Sequence, residues 1–326
     1  MLRRLFPDAS VGITTFAVPE KLVILRENST GEEYNIGLFD PSTCGTEMKM
    51  KPLYTNIEEA GVKVLKKCAE TKDEWCVLDE LGYLELKAER YISALKELGE
   101  KKRLAAVIRR ECLQQYTELF GKGSFFLVDT DEPFGKQGCV IMASGMGRRF
   151  GGNKLMAEFR GKRMIERCLE TTDNVFVERV VVTRHKEIYE LCQSRNIKCI
   201  LHTLPYRSDT VRLGIEAMAG LDSCMFCPAD QPLLTSDTVK ALALSALNEK
   251  EYIQRTSFDD TVGTPTVFPK WTFGELSELP EGMGGSYVIN KHKNKVKNVS
   301  AQNPYELMDV DTPDDLIILA EKNENA

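Results

Sequence analysis

Cys139-Val-Ile-Met-Ala-Ser-Gly-Met-Gly-Arg-Arg-Phe-Gly-Gly-Asn-Lys154 opens as a short apolar run and turns abruptly small, glycine-rich and basic. Residues 139–142 read as a buried strand. The glycines at 145, 147, 151 and 152 free the backbone to point N–H groups at an anion. Arg148, Arg149 and Lys154 supply charge that a phosphate would need. The pattern is neither GxGxxG nor a P-loop. Outward from this stretch, apolar runs recur at 180–182, 199–201 and 224–227. Helical patterns separate them, around 164–169, 187–192, 211–221 and 237–247, and a last helix follows Pro313. The alternation predicts an α/β domain with a mostly parallel sheet and helices on both faces. Ligands of such a sheet sit beyond the carboxyl ends of its strands.

Two other segments place carboxylates there. The run 224–227 ends in Pro228-Ala-Asp230-Gln-Pro232, an Asp pinned between prolines and suited to a hard cation. Cys224 and Cys227 have an odd separation, so a strand points them to opposite faces, against a shared metal. The segment Asp309-Val-Asp311-Thr-Pro313-Asp-Asp315 carries Asp309 and Asp311 on one side of an extended chain. Thr312 is suited to cap a helix beginning at Pro313, and Asp314 and Asp315 suit its first turn.

Together these motifs resemble the MobA/MocA-like nucleotidyltransferases, the guanylyl- and cytidylyltransferases of the molybdenum cofactor, over residues 138–326. The family's Leu-Ala-(Ala or Gly)-Gly-x-x-x-Arg-Met-Gly-x-x-Lys corresponds to Met142 through Lys154. Its Gly-Asp-x-Pro resembles Ala229-Asp230-Gln-Pro232. The Gly-x-Pro and Asp-(Ile or Val)-Asp-Thr-Pro of its cytidylyl branch resemble Gly263-Thr-Pro265 and Asp309 to Pro313. Ser144 departs from both the Ala of the cytidylyl type and the Gly of the guanylyl type. Ala229 departs from the usual Gly, and Gly284–Ser286 follows the late Gly-rich segment only loosely. The resemblance implies a Rossmann-like domain that binds a nucleoside triphosphate through Ala143, Ser144, Gly145, Met146, Gly147 and Arg148, with Arg149 and Lys154 neutralising phosphate charge. It implies Mg²⁺ on Asp230, with Asp311 or Asp309 as second ligand. Arg149, Lys154, Asp230 and Asp311 would form the catalytic set. Arg207, Ser208 and Arg212 resemble the segment that approaches nucleotide or acceptor, with capping or decoration of a helix as the equal alternative. The implied reaction transfers NMP, with CTP favoured over GTP, to a molybdopterin-type phosphate acceptor. A molybdenum hydroxylase would be the eventual recipient. A sugar-phosphate nucleotidyltransferase and a non-catalytic cofactor-delivery module are the alternatives.

The polar stretch around 131–137 reads as a linker between this domain and one over 1–130. In the latter, strand-like runs at 21–26 and 33–38 predict a hairpin. Helices are expected over 57–71, 87–98 and 104–119, and strands over 75–78 and 125–128. The charges at 101–103 and at 109–110 read as solvated helix faces. The run Trp75-Cys-Val-Leu-Asp79-Glu80-Leu-Gly82 resembles the Walker B strand of a P-loop nucleoside-triphosphatase family. No Gly-x-x-x-x-Gly-Lys-(Ser or Thr) occurs in the sequence, so the domain reads as a degenerate structural or docking unit.

The 326 residues suit two domains, and 42% hydrophobic with 28% charged content excludes a disordered or fibrous chain. A net charge of −6 gives no support to nucleic-acid or membrane-surface binding. No apolar run approaches the ~20 residues of a membrane span, and residues 1–8 lack the apolar core of a signal peptide. Ten cysteines then read as reduced thiols of a cytoplasmic protein.

Overall fold

The computed structural model describes residues 11–41, 50–121, 127–129 and 132–322, in two units within residues 2–127 and 128–326. The first unit carries β1 (Gly12–Val18), β2 (Leu22–Glu27), β3 (Glu33–Phe39), β4 (Met50–Pro52), β5 (Trp75–Leu81) and β6 (Arg103–Ile108), in sheet order β4-β3-β2-β1-β5-β6. Strands β1 to β4 pair antiparallel, and β5 lies parallel to both β1 and β6. The expected hairpin is β2–β3. Helix Val62–Glu70 buries Val62, Leu65 and Cys68, and helix Glu89–Lys101 buries Tyr91, Ala94, Leu95 and Leu98. Both are one-sided stripes of the kind that pack on a sheet.

Residues 104–119 do not form one helix. Strand β6 comes first, then a short turn and the helix Leu113–Phe120. Leu104-Ala-Ala-Val-Ile is too short for its periodicity to separate strand from helix. Parallel pairing with Trp75–Leu78 of β5 decides the matter. The nearby charges are likewise not all solvated. Lys102 Nζ donates to the carbonyls of Thr71 and Asp73, and Arg109 pairs with Glu80. Of the strand expected over 125–128, residues 125–126 lie outside the described residues, and 127–128 are not in a strand. The likeness of this unit to P-loop nucleoside-triphosphatases rests on its sequence pattern alone.

The second unit contains β7 (Gln137–Ala143), β8 (Glu158–Phe159), β9 (Lys162–Arg163), β10 (Glu178–Thr183), β11 (Cys199–Leu201), β12 (Ser223–Pro228), β13 (Ile253–Phe258), β14 (Thr261–Pro269) and β15 (Val296–Ser300). Seven of them form one sheet in the order β11-β10-β7-β12-β14-β13-β15, and β8–β9 is a separate ribbon. Strands β11, β10, β7 and β12 are parallel. Strand β14 runs against β12 and β13, and β15 lies parallel to β13. The parallel core matches the alternation of the sequence. Strands β13 to β15 lie outside that alternation; within β14 the Thr264–Pro265 bond is cis.

Alternate strand positions feed two layers. Val140, Val180, Val182, Cys224 and Phe226 share a core with Val211, Ile215 and Met218 of the region led by helix Arg207–Ala217. Burying each such aliphatic side chain contributes roughly 1.5–3 kcal/mol. Gly214 is fixed by this contact, since a Cβ there would lie 2.6 Å from Val140 Cγ1. On the opposite layer Cys227 Sγ lies 3.8 Å from Cys168 Sγ of helix Met164–Thr171. Cys224 and Cys227 thus face apart, as their spacing requires. From β7 the chain winds to β10 and β11 on one side and then returns to β12 on the other. The crevice of the fold therefore opens where β7 and β12 end.

Candidate active site

Strand β7 ends at Ala143 and leaves through Ser144-Gly-Met-Gly147. Gly147 has φ +58°, and a Cβ there would sit 2.0 Å from the Gly152 carbonyl oxygen, so a side chain does not fit. The N–H groups of Phe150 and Gly151 return to the Gly147 carbonyl at 3.0 and 3.1 Å. Among the described residues, none accepts a hydrogen bond from the N–H of Gly145, Met146, Gly147, Arg148 or Arg149. The loop is a set of free donors with Arg148 and Arg149 exposed beside it.

The Ser144 side chain turns inward. Its hydroxyl donates to the Val182 carbonyl at 3.0 Å and lies 2.9 Å from His202 Nε2. Its one proton is used on Val182, so Nε2 is the donor and His202 is the neutral Nε2–H tautomer. Burial first, then the charge of Arg184, holds the His202 pKa below the ordinary histidine value.

Lys154 closes the loop onto carboxylates from elsewhere. Its Nζ meets Asp230 Oδ2 at 2.7 Å, the Val310 carbonyl at 2.7 Å and Asp311 Oδ1 at 3.1 Å. Burial opposes the ammonium charge, but Asp230 and then Asp311 outweigh it and raise the Lys154 pKa above its usual value. Arg149 Nη2 reaches Asp311 Oδ2 at 2.7 Å. Asp309 Oδ1 accepts from Gln231 Nε2 at 3.0 Å. Lost hydration, then the neighbouring Asp230 charge, push the Asp309 carboxyl up to about 6. Gln231 Nε2 also meets Thr264 Oγ1 at 2.9 Å, which ties the Gly263-Thr-Pro265 segment to the site.

Local capping fixes the last carboxylate segment. Asp315 accepts from the N–H of Asp311 at 2.9 Å and of Thr312 at 2.7 Å, while Thr312 Oγ1 accepts from Asp315 N–H at 3.3 Å. This reciprocal cap starts helix Pro313–Lys322 and sets the backbone of Asp311. Upstream, the fully buried Glu306 accepts from Thr235 and Gln302 backbone N–H groups at 3.0 and 2.8 Å. Val310 N–H donates to the Asp230 carbonyl at 2.9 Å, so the two acidic segments are also joined by backbone.

Residues 139–296 match the family model described as the MobA-like NTP transferase domain. The matched residues lie wholly within the second unit. The chain is 29% identical over 119 residues to a probable molybdenum cofactor guanylyltransferase of Aquifex aeolicus (strain VF5), covering 36% of this chain and 54% of that one. It is 30% identical over 121 residues to a protein of the same name from Geobacillus sp. (strain WCH70), covering 35% and 60%. The chain thus spans little more than half the length of the curated relatives it matches. The crystal structure of Rv0371c from Mycobacterium tuberculosis H37Rv is alike in fold, with a TM-score of 0.52 at 19% identity over 57% of this chain and 98% of that one.

Within the second unit, Arg149, Lys154, Asp230, Asp309 and Asp311 converge on one place at the ends of β7 and β12. Ser208 lies on another element. It is buried in the first turn of helix Arg207–Ala217, and its hydroxyl accepts from the Gly282 N–H at 3.3 Å. Arg212 pairs with Asp209 at 3.2 Å and Glu216 at 3.6 Å on the same helix. Arg207 lies over Gly284, where a Cβ would come 3.0 Å from its Nε. Ala143 is wholly buried at the strand end and Met146 is half-exposed on the loop. Four contributors carried no motif: Arg184, His202, Gln231 and Glu306. Of these only Gln231, between Asp230 and Pro232, sat beside a recognised residue.

The fit to a hard cation can be judged from the ammonium that stands in for one. Among the described residues no three of His, Cys, Asp and Glu are already gathered as metal ligands. Lys154 Nζ instead occupies the space between the Asp230 and Asp311 carboxylates. Two carboxylates beside a loop of unpaired backbone N–H groups are a donor set of the kind that Mg²⁺ takes when phosphates and water complete its shell.

Proposed function

We propose that this MobA-like domain transfers a nucleoside monophosphate from a nucleoside triphosphate to a phosphate acceptor of the molybdopterin type, releasing pyrophosphate. The observation that carries the reading is the Lys154–Asp230–Asp311 cluster set against a loop of free backbone donors. In this reading the N–H groups after Ser144, with Arg148 and Arg149, hold the triphosphate. Lys154 exchanges part of its carboxylate contacts for the phosphate on which charge develops. Asp230 holds Mg²⁺ with Asp311 or Asp309, and the ion supplies charge neutralisation on the triphosphate. Such a transfer relies on positioning and electrostatics more than on covalent help from the protein.

The donor base is the finer question. The Asp309–Asp315 segment led to CTP in the sequence reading. The curated relatives are named for guanylyl transfer, which gives that preference no support. Among the described residues no helix is long and apolar enough to cross a membrane. Pyrophosphate release from each of the four NTPs, with and without molybdopterin, tests the reading. Release with GTP or CTP that depends on the acceptor upholds it; none with any NTP and acceptor refutes it.

A further inference from the structure

The carbonyls of the nucleotide loop are held from one side. Arg184, the first residue after β10, donates through Nε to the Ser144 carbonyl at 2.8 Å and through Nη1 to the Pro205 carbonyl at 3.2 Å. His185 Nε2 lies 2.7 Å from the Gly145 carbonyl. His185 is itself anchored, since its N–H donates to Thr183 Oγ1 at 3.1 Å and Thr183 donates to the Ala143 carbonyl at 2.9 Å. In a trans peptide, the C=O of one residue and the N–H of the next point in opposite directions. Drawing the Ser144 and Gly145 carbonyls toward β10 therefore turns the N–H groups of Gly145 and Met146 away from it. These are two of the N–H groups that no described residue accepts.

We infer that Arg184 and His185 are positioning residues that pre-orient the Gly145 and Met146 amides for the anionic phosphates of the nucleotide. The inference rests on the proposed function for its ligand and deepens it. Neither residue touches the phosphates. Each acts through a carbonyl, so what matters is an N–H donor at the Arg184 Nε and His185 Nε2 positions rather than positive charge. A flexible glycine loop that is held in this way gives up less conformational entropy on binding.

Side-chain geometry supplies a charge-matched test. In Gln the amide nitrogen stands where Nε stands in Arg, whereas Met keeps the length and offers no donor. Arg184→Gln and Arg184→Met both lose the charge and the contact to Pro205. They differ at the Ser144 carbonyl. Calorimetric titration of the full chain with inorganic triphosphate should show Arg184→Met binding about tenfold more weakly than Arg184→Gln, the worth of one hydrogen bond of this kind. His185→Gln should bind more tightly than His185→Ala for the same reason. Thermal melting reads the structural contribution separately, and both variants should stay folded with Arg184→Gln melting no lower than Arg184→Met. Equal triphosphate affinity of Arg184→Gln and Arg184→Met overturns the inference while leaving the proposed function standing. A wild-type chain that binds neither triphosphate nor any NTP overturns both.

Discussion

Lys154 Nζ lies 2.7 Å from Asp230 Oδ2, joining the loop after β7 to the loop after β12. The same ammonium meets Asp311, which Arg149 also pairs, so Lys154 is the cation shared by the Asp230 and Asp311 carboxylates. Lys154→Met should leave those carboxylates facing each other and cost about 2 kcal/mol at pH 7, less than a fully buried pair because both acids keep some solvent. Urea denaturation measures it. Pyrophosphate release should fall at least ~10²-fold in the same variant.

Asp230→Ala removes the carboxylate that the proposed function gives to Mg²⁺. Turnover in saturating Mg²⁺ should drop at least ~10²-fold, roughly 3 kcal/mol of barrier. Nucleotide affinity in the presence of a chelator should change little. Undiminished turnover would show that the ion is held without Asp230.

Sequence carried the parallel core and the five converging charged residues because short local patterns specify them. A strand followed by glycines, an Asp between prolines, and Asp-x-Asp before a Thr-Pro helix start each state their own geometry. What sequence did not carry is pairing across the chain. Leu104–Ile108 became a strand through an open edge of β5. Strand β14 kept its pairing with β12 and β13 despite Gly263 and Pro265. The contact between Ser208 and the Gly282 N–H comes from a distant loop. Arg184 and His202 reach Ser144 across neighbouring strands, and nothing near them in the chain marks that meeting.

Asp309 gives a pH signature. Its carboxyl is pushed up to about 6 by lost hydration and by Asp230. A raised carboxyl pKa means that ionisation burdens the folded state more than the unfolded one. Stability is therefore lost as pH rises from the unfolded carboxylate value near 4 through about 6, and the loss levels off above. Asp309→Asn keeps an oxygen for Gln231 and cannot ionise. Its melting temperature relative to wild type should rise from pH 4 to pH 7 and then stay flat. A difference that does not vary with pH would mean that Asp309 ionises freely.

The cap at Pro313 should titrate in the opposite sense. Hydrogen bonds from the backbone N–H groups of Asp311 and Thr312 hold the Asp315 pKa below the usual carboxylate range. That contribution is present above the unfolded pKa and is lost as pH falls through the folded one. Asp315→Ala should cost about 1 kcal/mol at pH 7, with the gap to wild type closing as pH falls through the lowered Asp315 pKa. Because the cap also sets the Asp311 backbone, activity should weaken along with stability.

The last expectation concerns the second unit on its own. Its seven-stranded sheet is closed within residues 137–300. Strand β7 enters under its own anchors. Phe134 is buried with its N–H on the Val175 carbonyl at 3.0 Å. Gln137 donates to the Phe134 and Ala243 carbonyls at 2.8 and 2.9 Å and accepts from Ser223 at 3.0 Å. A fragment starting at residue 132 keeps all of these contacts and is large enough to bury a core of its own. It should melt cooperatively and release pyrophosphate at the rate of the full chain. A fragment starting at residue 138 loses Gln137 and should melt lower or fail to fold. Asp79 and Glu80 have no Walker A loop to serve, so residues 1–130 alone should hydrolyse no NTP. A folded but inactive 132–326 fragment would show instead that residues before 132 complete the acceptor or nucleotide site.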